Sequence, residues 1–584
     1  MLTGATALAL VAALAPATIA QSAPAAEGAP SAGAAAGDDR PDAASDARRD
    51  AMQEAVSQVV SGKAKPVTKG KSKAVKISPG QWAQYGLQSS DSILTFLIDF
   101  GDQIDPRFPS APAGPQHNQI PQPDRSTDNT TYWVPDFSTN HYKDMFFGSG
   151  ESMTSLYEEM SSGRYTVDGD VSDWVTVPYN SASYGETESQ TDMTRFIQDS
   201  ANAWYDQQKA AGKTDAEITA YLASFDKWDR YDYDKDGNFG EPDGYIDHFQ
   251  AVHAGEGEEA GAPSSAIWSH RWAVGQRSGG GPAWNKIGGI KIGNTDLWIR
   301  DYTTEPENGG LGVFAHEYAH DLGLPDLYDT SGGENGTGFW TLMSSGSWLG
   351  HGKDTIGTTP NHMGAWEKLM LGWLDYTEVA ADQKATLMLG PSTHATKKSQ
   401  ALIVTLPVDA NGKSRYYIAE NRQYLSYDAT LQTGPYNFGW LNTKPNWVEH
   451  FPYQNGLLVT YWNTAVSNNN TRQHPGSGRV LPVDARAKAL TWSDGVVARN
   501  RIQTFDATFG TEATDPISLH RETAAGMTTL SVPSQAPIAI FDDSDPNAYY
   551  DDANPMGSVK VAGVGVTIKV VQANSTGKMT VRVN

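Results

Sequence analysis

The sequence predicts an α/β (α+β) domain with a mixed sheet, followed by a β-rich domain of sandwich type. The apolar run at residues 93–100 has the length of a buried strand, and helical patterns alternate with strand patterns up to about residue 375. Beyond about residue 380, short β-rich runs recur between turns, at 401–406, 414–418, 456–462, 479–483, 528–532, 563–571 and 579–583. We therefore expect the first domain at residues 88–378 and the second at 379–584.

The first domain yields a series of elements in chain order. Apolar periodicity predicts helices at 152–160, 194–208, 215–224 and 364–374, the last closed by Gly372. Alternating residues around Asp168-Gly169 predict a hairpin at 164–177, because this dipeptide is typical of tight turns. A second core strand is expected at 245–253.

Composition and charge exclude several classes of protein. The 584 residues include 68 acidic and 44 basic side chains, a formal charge of −24, which argues against binding to nucleic acid or to an anionic membrane. The chain has no cysteine, so no disulfide can stabilise it. An exported protein of this kind needs another source of stability, and bound calcium is the natural candidate.

The N-terminal residues predict export and processing. Residues 1–20 read as a signal peptide, because an apolar Ala/Leu/Val run ends in small residues. Residues 21–87 are expected to be a propeptide, largely disordered, with a short helix at 52–60. The basic run at 63–76 is either a propeptide segment that contacts the acidic mature domain or a solvated linker.

The most informative stretch is the H-E-x-x-H motif at His316, Glu317 and His320. Two histidines four residues apart lie on one face of a helix, where both can bind one Zn²⁺ while the glutamate points into the same space. A catalytic zinc takes three protein ligands and leaves one position open. Gly323 can end the helix, and Asp326 stands where the metzincin pattern has its third ligand. The motif thus predicts a metzincin-like zinc-peptidase domain.

The third ligand has alternatives in the sequence. A thermolysin-like arrangement would use a later glutamate, such as Glu334 or Glu367. Met343 follows the motif at a distance that suits a Met-turn beneath the metal. Tyr328, Asp329 and His351 are near enough in sequence to reach the site, although core or surface roles suit each of them as well.

A second cation site is predicted between residues 229 and 247. Asp232, Asp234 and Asp236 alternate before Gly237, as at the start of an EF-hand-type loop, and such clustered carboxylates favour Ca²⁺. The backbone carbonyl of Asn238 and the carboxylate of Asp243 complete the predicted ligand set. A further metal near His253, with acidic residues at 256, 258 and 259, competes with a solvated acidic loop.

These residues resemble the M6 family of secreted zinc metallopeptidases, the immune inhibitor A group. The resemblance lies in the stretches 232–248, 253–256, 316–329, 339–348, 364–374, 474–478 and 483–486. It implies a signal–propeptide–catalytic–β-domain layout, export as a zymogen inhibited by its own propeptide, and hydrolysis of extracellular proteins or peptides. The tyrosine that metzincins carry two residues after the Met-turn methionine is replaced by Ser345, which leaves the oxyanion-stabilising group open.

The expected activity is that of a secreted zinc endopeptidase with Glu317 as the general base. The mature form is expected to have no membrane span. The alternative from another class is a calcium-dependent surface-binding or adhesion protein with a vestigial zinc site. A purely structural zinc is disfavoured, because such sites normally close the fourth position with a protein ligand.

Overall fold

The computed structural model describes residues 37–87, 89–276, 279–394, 399–573 and 577–584. The predicted signal peptide at 1–20 and residues 21–36 of the predicted propeptide lie outside the described residues. Among the described residues, no helix combines the length and the apolar character needed to cross a membrane.

The N-terminal segment, residues 37–87, is folded, so the prediction that 21–87 is largely disordered is wrong for this part. It contains the helix α1 (Ala43–Val60) and an antiparallel sheet of β1 (Val67–Lys69), β2 (Ser72–Ser78) and β3 (Gln81–Gln84). The carboxylate of Asp42 caps α1, and Val56 and Val60 join the apolar core of the following domain. The segment also has a small apolar cluster of its own, formed by Ala55, Val75 and Ala83.

The next domain is built on a five-stranded sheet in the order β5-β4-β6-β10-β7. Its strands and a small two-stranded ribbon are β4 (Ser90–Gln103), β5 (Thr166–Tyr179), β6 (His248–His253), β7 (His270–Ala273), β8 (Ile290–Lys291), β9 (Trp298–Ile299) and β10 (Asp301–Pro306). All pairings in the large sheet are parallel except that of β10 with β7, which leaves β7 as an antiparallel edge strand. The predicted strands at 93–100 and 245–253 are confirmed as β4 and β6.

The predicted hairpin at Asp168-Gly169 is wrong. Residues Thr166–Tyr179 form one continuous strand, β5, which pairs with β4 in parallel. A Cβ at Gly169 would lie 2.2 Å from the carbonyl oxygen of Ile93, so the glycine serves close strand pairing instead of a turn.

The helices of this domain cover the two faces of the sheet. They are α2 (Thr139–Phe147), α3 (Met153–Met160), α4 (Ala182–Gly185), α5 (Gln190–Ala210), α6 (Asp215–Leu222), α7 (Leu311–Leu322) and α8 (Ala365–Met370). One core contains residues of α2, α3, α7 and α8, and the other contains residues of α5 and α6. The predicted helices are therefore present, with ends that differ by a few residues.

A buried ionic network lies under α7. His248 on β6 sits 2.6 Å from the carboxylate of Asp321 through Nδ1 and 3.4 Å from that of Asp91 through Nε2. Burial by itself would lower the pKa of His248, but the hydrogen bonds from its ring to Asp321 and Asp91 raise it to about 9. Arg230 also binds Asp321, at 2.9 Å, so this carboxylate in the last turn of α7 is held from two directions.

The C-terminal domain consists mainly of two sheets, in the orders β11-β13-β14-β17-β18 and β12-β23-β22-β21. Its strands are β11 (Tyr376–Ala380), β12 (Ala385–Leu389), β13 (Ala401–Thr405), β14 (Arg415–Arg422), β15 (Tyr436–Asn437), β16 (Glu449–His450), β17 (Gly456–Asn463), β18 (Val480–Pro482), β19 (Ile517–Thr523), β20 (Gly526–Val532), β21 (Ile540–Asp542), β22 (Thr567–Ala573) and β23 (Met579–Val583). Two short helices, α9 (Thr430–Thr433) and α10 (Asn500–Gln503), connect them. One apolar core holds side chains of both sheets, such as Leu402 and Val581, as expected for packed layers.

Candidate active site

Helix α7 carries the H-E-x-x-H motif and is buried along its whole length. It approaches the segment behind it closely, because a Cβ at Gly312 would lie 1.7 Å from the carbonyl oxygen of Ser347. The helix ends as predicted at Gly323, whose φ of 112° is the left-handed conformation that glycine adopts without strain. The chain then turns back and brings Asp326 to the two histidines.

Three ligand atoms meet at one point. His316 Nε2 and His320 Nε2 are 3.0 Å apart, and Asp326 Oδ1 lies 3.3 Å from the first and 3.1 Å from the second. Atoms at the corners of a tetrahedron around Zn²⁺, with bonds of 2.0–2.1 Å, lie about 3.3 Å from one another. The separations therefore suit a single zinc ion.

The hydrogen bonds behind the histidines fix which ring nitrogen faces the site. His316 Nδ1 lies 2.8 Å from the carbonyl oxygen of Leu342, and His320 Nδ1 lies 2.8 Å from that of Leu324. A carbonyl only accepts, so both Nδ1 atoms carry the proton and both Nε2 atoms present lone pairs. Two lone pairs and a carboxylate facing one another need a cation between them, which is the donor chemistry of a metal site.

The Glu317 carboxyl lies in surroundings that disfavour its charged form. Burial, with the nearby charge of Asp38, raises the pKa of the Glu317 carboxyl well above its usual range. Glu317 Oε2 is buried and has no hydrogen-bond partner among the described residues. An unpaired carboxyl oxygen with a raised pKa, beside a metal site, suits a general base.

The two alternative zinc ligands, Glu334 and Glu367, pair with other residues. Glu334 binds Arg501 at 2.6 Å, and Glu367 accepts a short hydrogen bond from Thr341, so neither glutamate joins the two histidines. Met343 is fully buried in the core that includes α7, and its carbonyl accepts a hydrogen bond of 2.8 Å from Leu327 N. That bond ties the Met343 turn to the residue after Asp326.

A cavity opens on the Glu317 side of the site. Its lining comes from the motif, from the loop after it, from the connection between β6 and β7 and from the N-terminal segment, and includes Asp38, Glu259, Trp268, His316, Glu317, Tyr328, Ser345 and Trp348. Tyr328 and Ser345 thus reach the cavity. Asp329 lies away from it and accepts from Arg472 N at 2.7 Å, and His351 pairs with the exposed Glu151 at 3.0 Å.

Asp38, which was not among the predicted site residues, lies directly in the site. Its Oδ2 is 3.6 Å from His316 Nε2, and Asp38, His316 and Glu317 form a group that could hold a metal. Trp268 Nε1 donates to Asp38 Oδ1 at 2.7 Å, and the backbone N–H of Asp38 donates to Tyr328 Oη at 3.2 Å. In the sequence, four of the five residues at 38–42 are charged, just after an Ala/Gly-rich stretch, and this alone does not point to the site.

The backbone next to Asp38 continues the sheet at its edge. Arg271 N donates to Asp38 O at 2.9 Å, and Arg40 N donates to Arg271 O at 2.9 Å. The bridge between Asp39 and Arg271 is parallel, and Arg271 belongs to the edge strand β7. The N-terminal segment therefore occupies the open sheet edge beside the metal site.

The acidic loop, residues 229–243, brings together two overlapping groups of ligand atoms. One group is Asp232, Asp234 and Asp236, as predicted, and the other is Asp229, Asp234 and Glu241. The second group was missed because Asp229 precedes the alternating pattern. The side chain of Asn238 donates to Glu241 Oε2 at 2.6 Å, which helps to fix the loop.

The structure does not bring Asp243 into the acidic loop's ligand groups, contrary to the prediction. Asp243 Oδ2 accepts from Asn285 Nδ2 at 3.2 Å, and Oδ1 accepts from Tyr245 N at 3.0 Å. Pro242 stands just before it, and the chain there leaves the loop towards β6. Among the described residues, no metal-binding group of three contains His253 or the acidic residues at 256, 258 and 259.

The basic run of the N-terminal segment packs on this acidic loop, as one of its two readings predicted. Lys69 Nζ donates to the carbonyl oxygen of Asp236 at 3.0 Å, and Phe239 N donates to Ser72 Oγ at 3.1 Å. A Cβ at Gly237 would lie 2.7 Å from the ring of Trp82. The loop and the turn between β1 and β2 are therefore in close contact.

Comparison with known proteins agrees with the geometry. Residues 80–374 match the immune inhibitor A peptidase M6 catalytic domain, and residues 410–581 match the immune inhibitor A-like metallopeptidase VEG domain. Immune inhibitor A of Bacillus thuringiensis subsp. alesti is 36% identical over 307 residues, covering 49% of this chain and 40% of that protein. The pre-pro-metalloprotease PrtV of Vibrio cholerae serotype O1 (strain M66-2) is 33% identical over 356 residues, covering 55% of this chain and 35% of that protein. The matches thus span less than half of each relative, while the catalytic-domain match contains the whole metal site, and the chain belongs to the immune inhibitor A family of M6 peptidases.

Proposed function

We propose that this protein is a secreted, zinc-dependent endopeptidase, made as a zymogen, that hydrolyses peptide bonds of extracellular proteins. The observation that carries the proposal is the convergence of His316 Nε2, His320 Nε2 and Asp326 Oδ1 within 3.3 Å of one another, with Glu317 beside them. The donor set fits zinc, and the family membership supports peptide hydrolysis as the reaction.

Zinc bound by these three side chains would supply a Lewis acid that polarises the substrate carbonyl and makes a water molecule acidic. The chain's own contribution to the chemistry is proton transfer. Glu317 Oε2, which is buried and unpaired, accepts a proton from the attacking water and returns it to the leaving amine. The hydrogen bonds from the two histidines to Leu342 O and Leu324 O hold both rings in the ligating tautomer and limit their rotation.

The N-terminal segment is proposed to act as the inhibitory propeptide. Asp38 stands beside His316 and Glu317, where a substrate carbonyl or the attacking water would have to be. Its neighbours occupy the edge of β7, which a bound peptide would otherwise extend by strand addition. Removal of the segment would free both places at once, which supports latency by direct occupation of the site.

The acidic loop is proposed to bind calcium through Asp229, Asp232, Asp234, Asp236 and Glu241. Carboxylates this close together repel one another unless a hard cation lies between them, and oxygen-only ligands favour Ca²⁺. The contact with Lys69 neutralises part of this charge in the unprocessed chain. The proposed role is structural, because a chain without cysteine has no disulfide to fix its loops.

The decisive experiment compares Glu317→Ala with the unchanged protein after processing and zinc loading. We expect casein hydrolysis to disappear in the variant while one zinc per chain remains bound. Retained hydrolysis would remove Glu317 from its role. If neither protein hydrolyses casein, the alternative of a calcium-dependent surface-binding protein becomes the better description.

A further inference from the structure

Two buried arginines of the catalytic domain are covered by carboxylates of the N-terminal segment. We propose that in the processed enzyme Arg271 and Arg300 form a substrate subsite that binds an acidic side chain within about four residues of the scissile bond. This proposal rests on the proposed function, because it requires a peptidase from which the N-terminal segment has been removed.

The Arg271 side chain contacts carboxylates of the catalytic domain on one side and a carboxylate of the N-terminal segment on the other. Its side chain is 2% exposed and donates a short hydrogen bond to Asp301, while Nε lies 3.5 Å from Asp321 Oδ1. Its remaining nitrogen, Nη1, lies 3.9 Å from Oδ1 of Asp39 in the N-terminal segment. Departure of that segment would leave the Nη1 side facing the space that the segment had occupied.

Arg300 also contacts the catalytic domain on one side and the N-terminal segment on the other. Nε donates to Ile287 O at 3.1 Å, and Nη1 donates to Tyr231 Oη at 2.9 Å and to Asp301 Oδ1 at 3.0 Å. Nη2 donates to Asp42 Oδ2 at 2.7 Å. The contacts within the catalytic domain fix the plane of the guanidinium, and the Asp42 carboxylate already occupies the position that we assign to a substrate carboxylate.

The charges favour an acidic ligand once the segment has gone. Arg271 and Arg300 share the single carboxylate of Asp301, while Asp321 is also bound by Arg230 and His248. Loss of Asp39 and Asp42 therefore leaves the arginine pair with more positive than negative charge. A planar guanidinium held from behind is well suited to bind a carboxylate by charge-assisted hydrogen bonds.

The position of the subsite follows from the path of the segment along β7. Asp38 lies at the metal site, the backbone of Asp38 and Arg40 pairs with Arg271 on the strand edge, and the side chain of Trp272 then donates through Nε1 to Pro41 O at 3.0 Å. Asp39 and Asp42 are one and four residues beyond Asp38. An extended peptide on the same edge advances about 3.3 Å per residue. Its side chains one to four residues away from the one at the metal site can therefore reach the two arginines.

The test uses the zinc-loaded, processed enzyme and a set of quenched fluorescent peptides. Each peptide carries Asp or Asn at one position from four residues before to four residues after a fixed scissile bond, and kcat/KM is measured at low and high salt. We expect at least one position where Asp is preferred over Asn by about tenfold or more, with the preference reduced by salt. Equal kcat/KM for Asp and Asn at every position would overturn the subsite, whereas no hydrolysis of any peptide would overturn the proposed function.

Two variants test whether the preference for Asp over Asn depends on Arg300. Arg300→Gln is expected to lower the Asp:Asn ratio to near one, and Arg415→Gln, which changes an arginine of the C-terminal domain, is expected to keep the ratio of the unchanged enzyme. An Asp preference that survives Arg300→Gln would overturn the assignment. If Arg300→Gln does not fold, the Asp:Asn ratios of the unchanged enzyme still test whether the acidic subsite exists. Arg300→Lys then tests whether the planar guanidinium is needed.

Discussion

Replacing Asp38 by Asn should weaken the hold of the N-terminal segment on the active site. Asn has the same size and keeps an oxygen that can accept from Trp268 Nε1, now 2.7 Å from Asp38 Oδ1. It loses the negative charge 3.6 Å from His316 Nε2. The backbone bond from Arg271 N to Asp38 O, at 2.9 Å, is unaffected. The substitution therefore isolates the contribution of the charge.

The magnitude follows from the difference between charged and neutral hydrogen bonds. A hydrogen bond to a charged group contributes about 2 kcal/mol and a neutral one about 1 kcal/mol. We call the state with the N-terminal segment in the site closed, and the state with the segment displaced open. Loss of this difference, with the weaker attraction to a bound cation, destabilises the closed state by about 1.4 kcal/mol, which shifts the equilibrium towards the open state by a factor of about ten. Asp38→Ala, which also removes the acceptor for Trp268, should have a larger effect.

The assay measures access to the site in unprocessed, zinc-loaded protein that carries Glu317→Ala, so that it cannot process itself. A fluorescent peptide hydroxamate competes with the segment, and its affinity is read from fluorescence anisotropy. We expect about tenfold tighter binding with Asp38→Asn and no change with Asp50→Asn, which alters an exposed residue of α1. Equal affinity for all three proteins would refute a role for the Asp38 charge in latency.

Three further predictions address the metals and the network under α7. Asp326→Ala should lose most of its zinc by elemental analysis while Glu334→Ala keeps it; equal zinc content would return the third ligand to the later glutamates. Asp234→Asn, which changes the residue shared by both acidic groups, should abolish the rise in Tm on adding calcium, whereas the exposed Asp296→Asn should keep it. The pKa of His248 is raised from 6.5 to about 9 in the fold, so its contribution is complete below pH 6.5 and is lost as the pH rises through 9. The difference corresponds to about 3 kcal/mol in the free energy of unfolding, measurable by urea denaturation at pH 6 and pH 9.5, and a similar loss in His248→Gln would contradict this origin.

The parts of the site that lie close together in sequence could be predicted. His316, Glu317, His320 and Asp326 fall within one helix and the turn after it, so the helical repeat and Gly323 fix most of their geometry. The alternation of Asp232, Asp234 and Asp236 is local in the same way. Spacing along the chain determines the arrangement in both cases.

The parts that depend on distant contacts could not be predicted. Asp38 meets Tyr328 across 290 residues, and nothing in the composition of residues 21–50 indicates such a contact. The Asp168-Gly169 pair carries the local signal of a turn, but pairing with β4 over the whole of β5 outweighs it. Asp243 has the spacing of a loop ligand, yet its hydrogen bond to Asn285 holds it elsewhere.

The two domains differ in sequence pattern, but they share an apolar core. Ile403 and Ile418, on β13 and β14, belong to the same apolar cluster as Leu369 of α8 and Ala319 of α7. The neighbouring residue Leu402 faces the opposite way, towards the second sheet. The sheet that contains β13 and β14 is therefore a middle layer, buried on one side by the helices behind the metal site and on the other by the C-terminal sheet. Because a helix held by packing on its rear face keeps its ligands in place, the C-terminal domain contributes to the order of the active site, although none of its described residues belongs to the ligand groups.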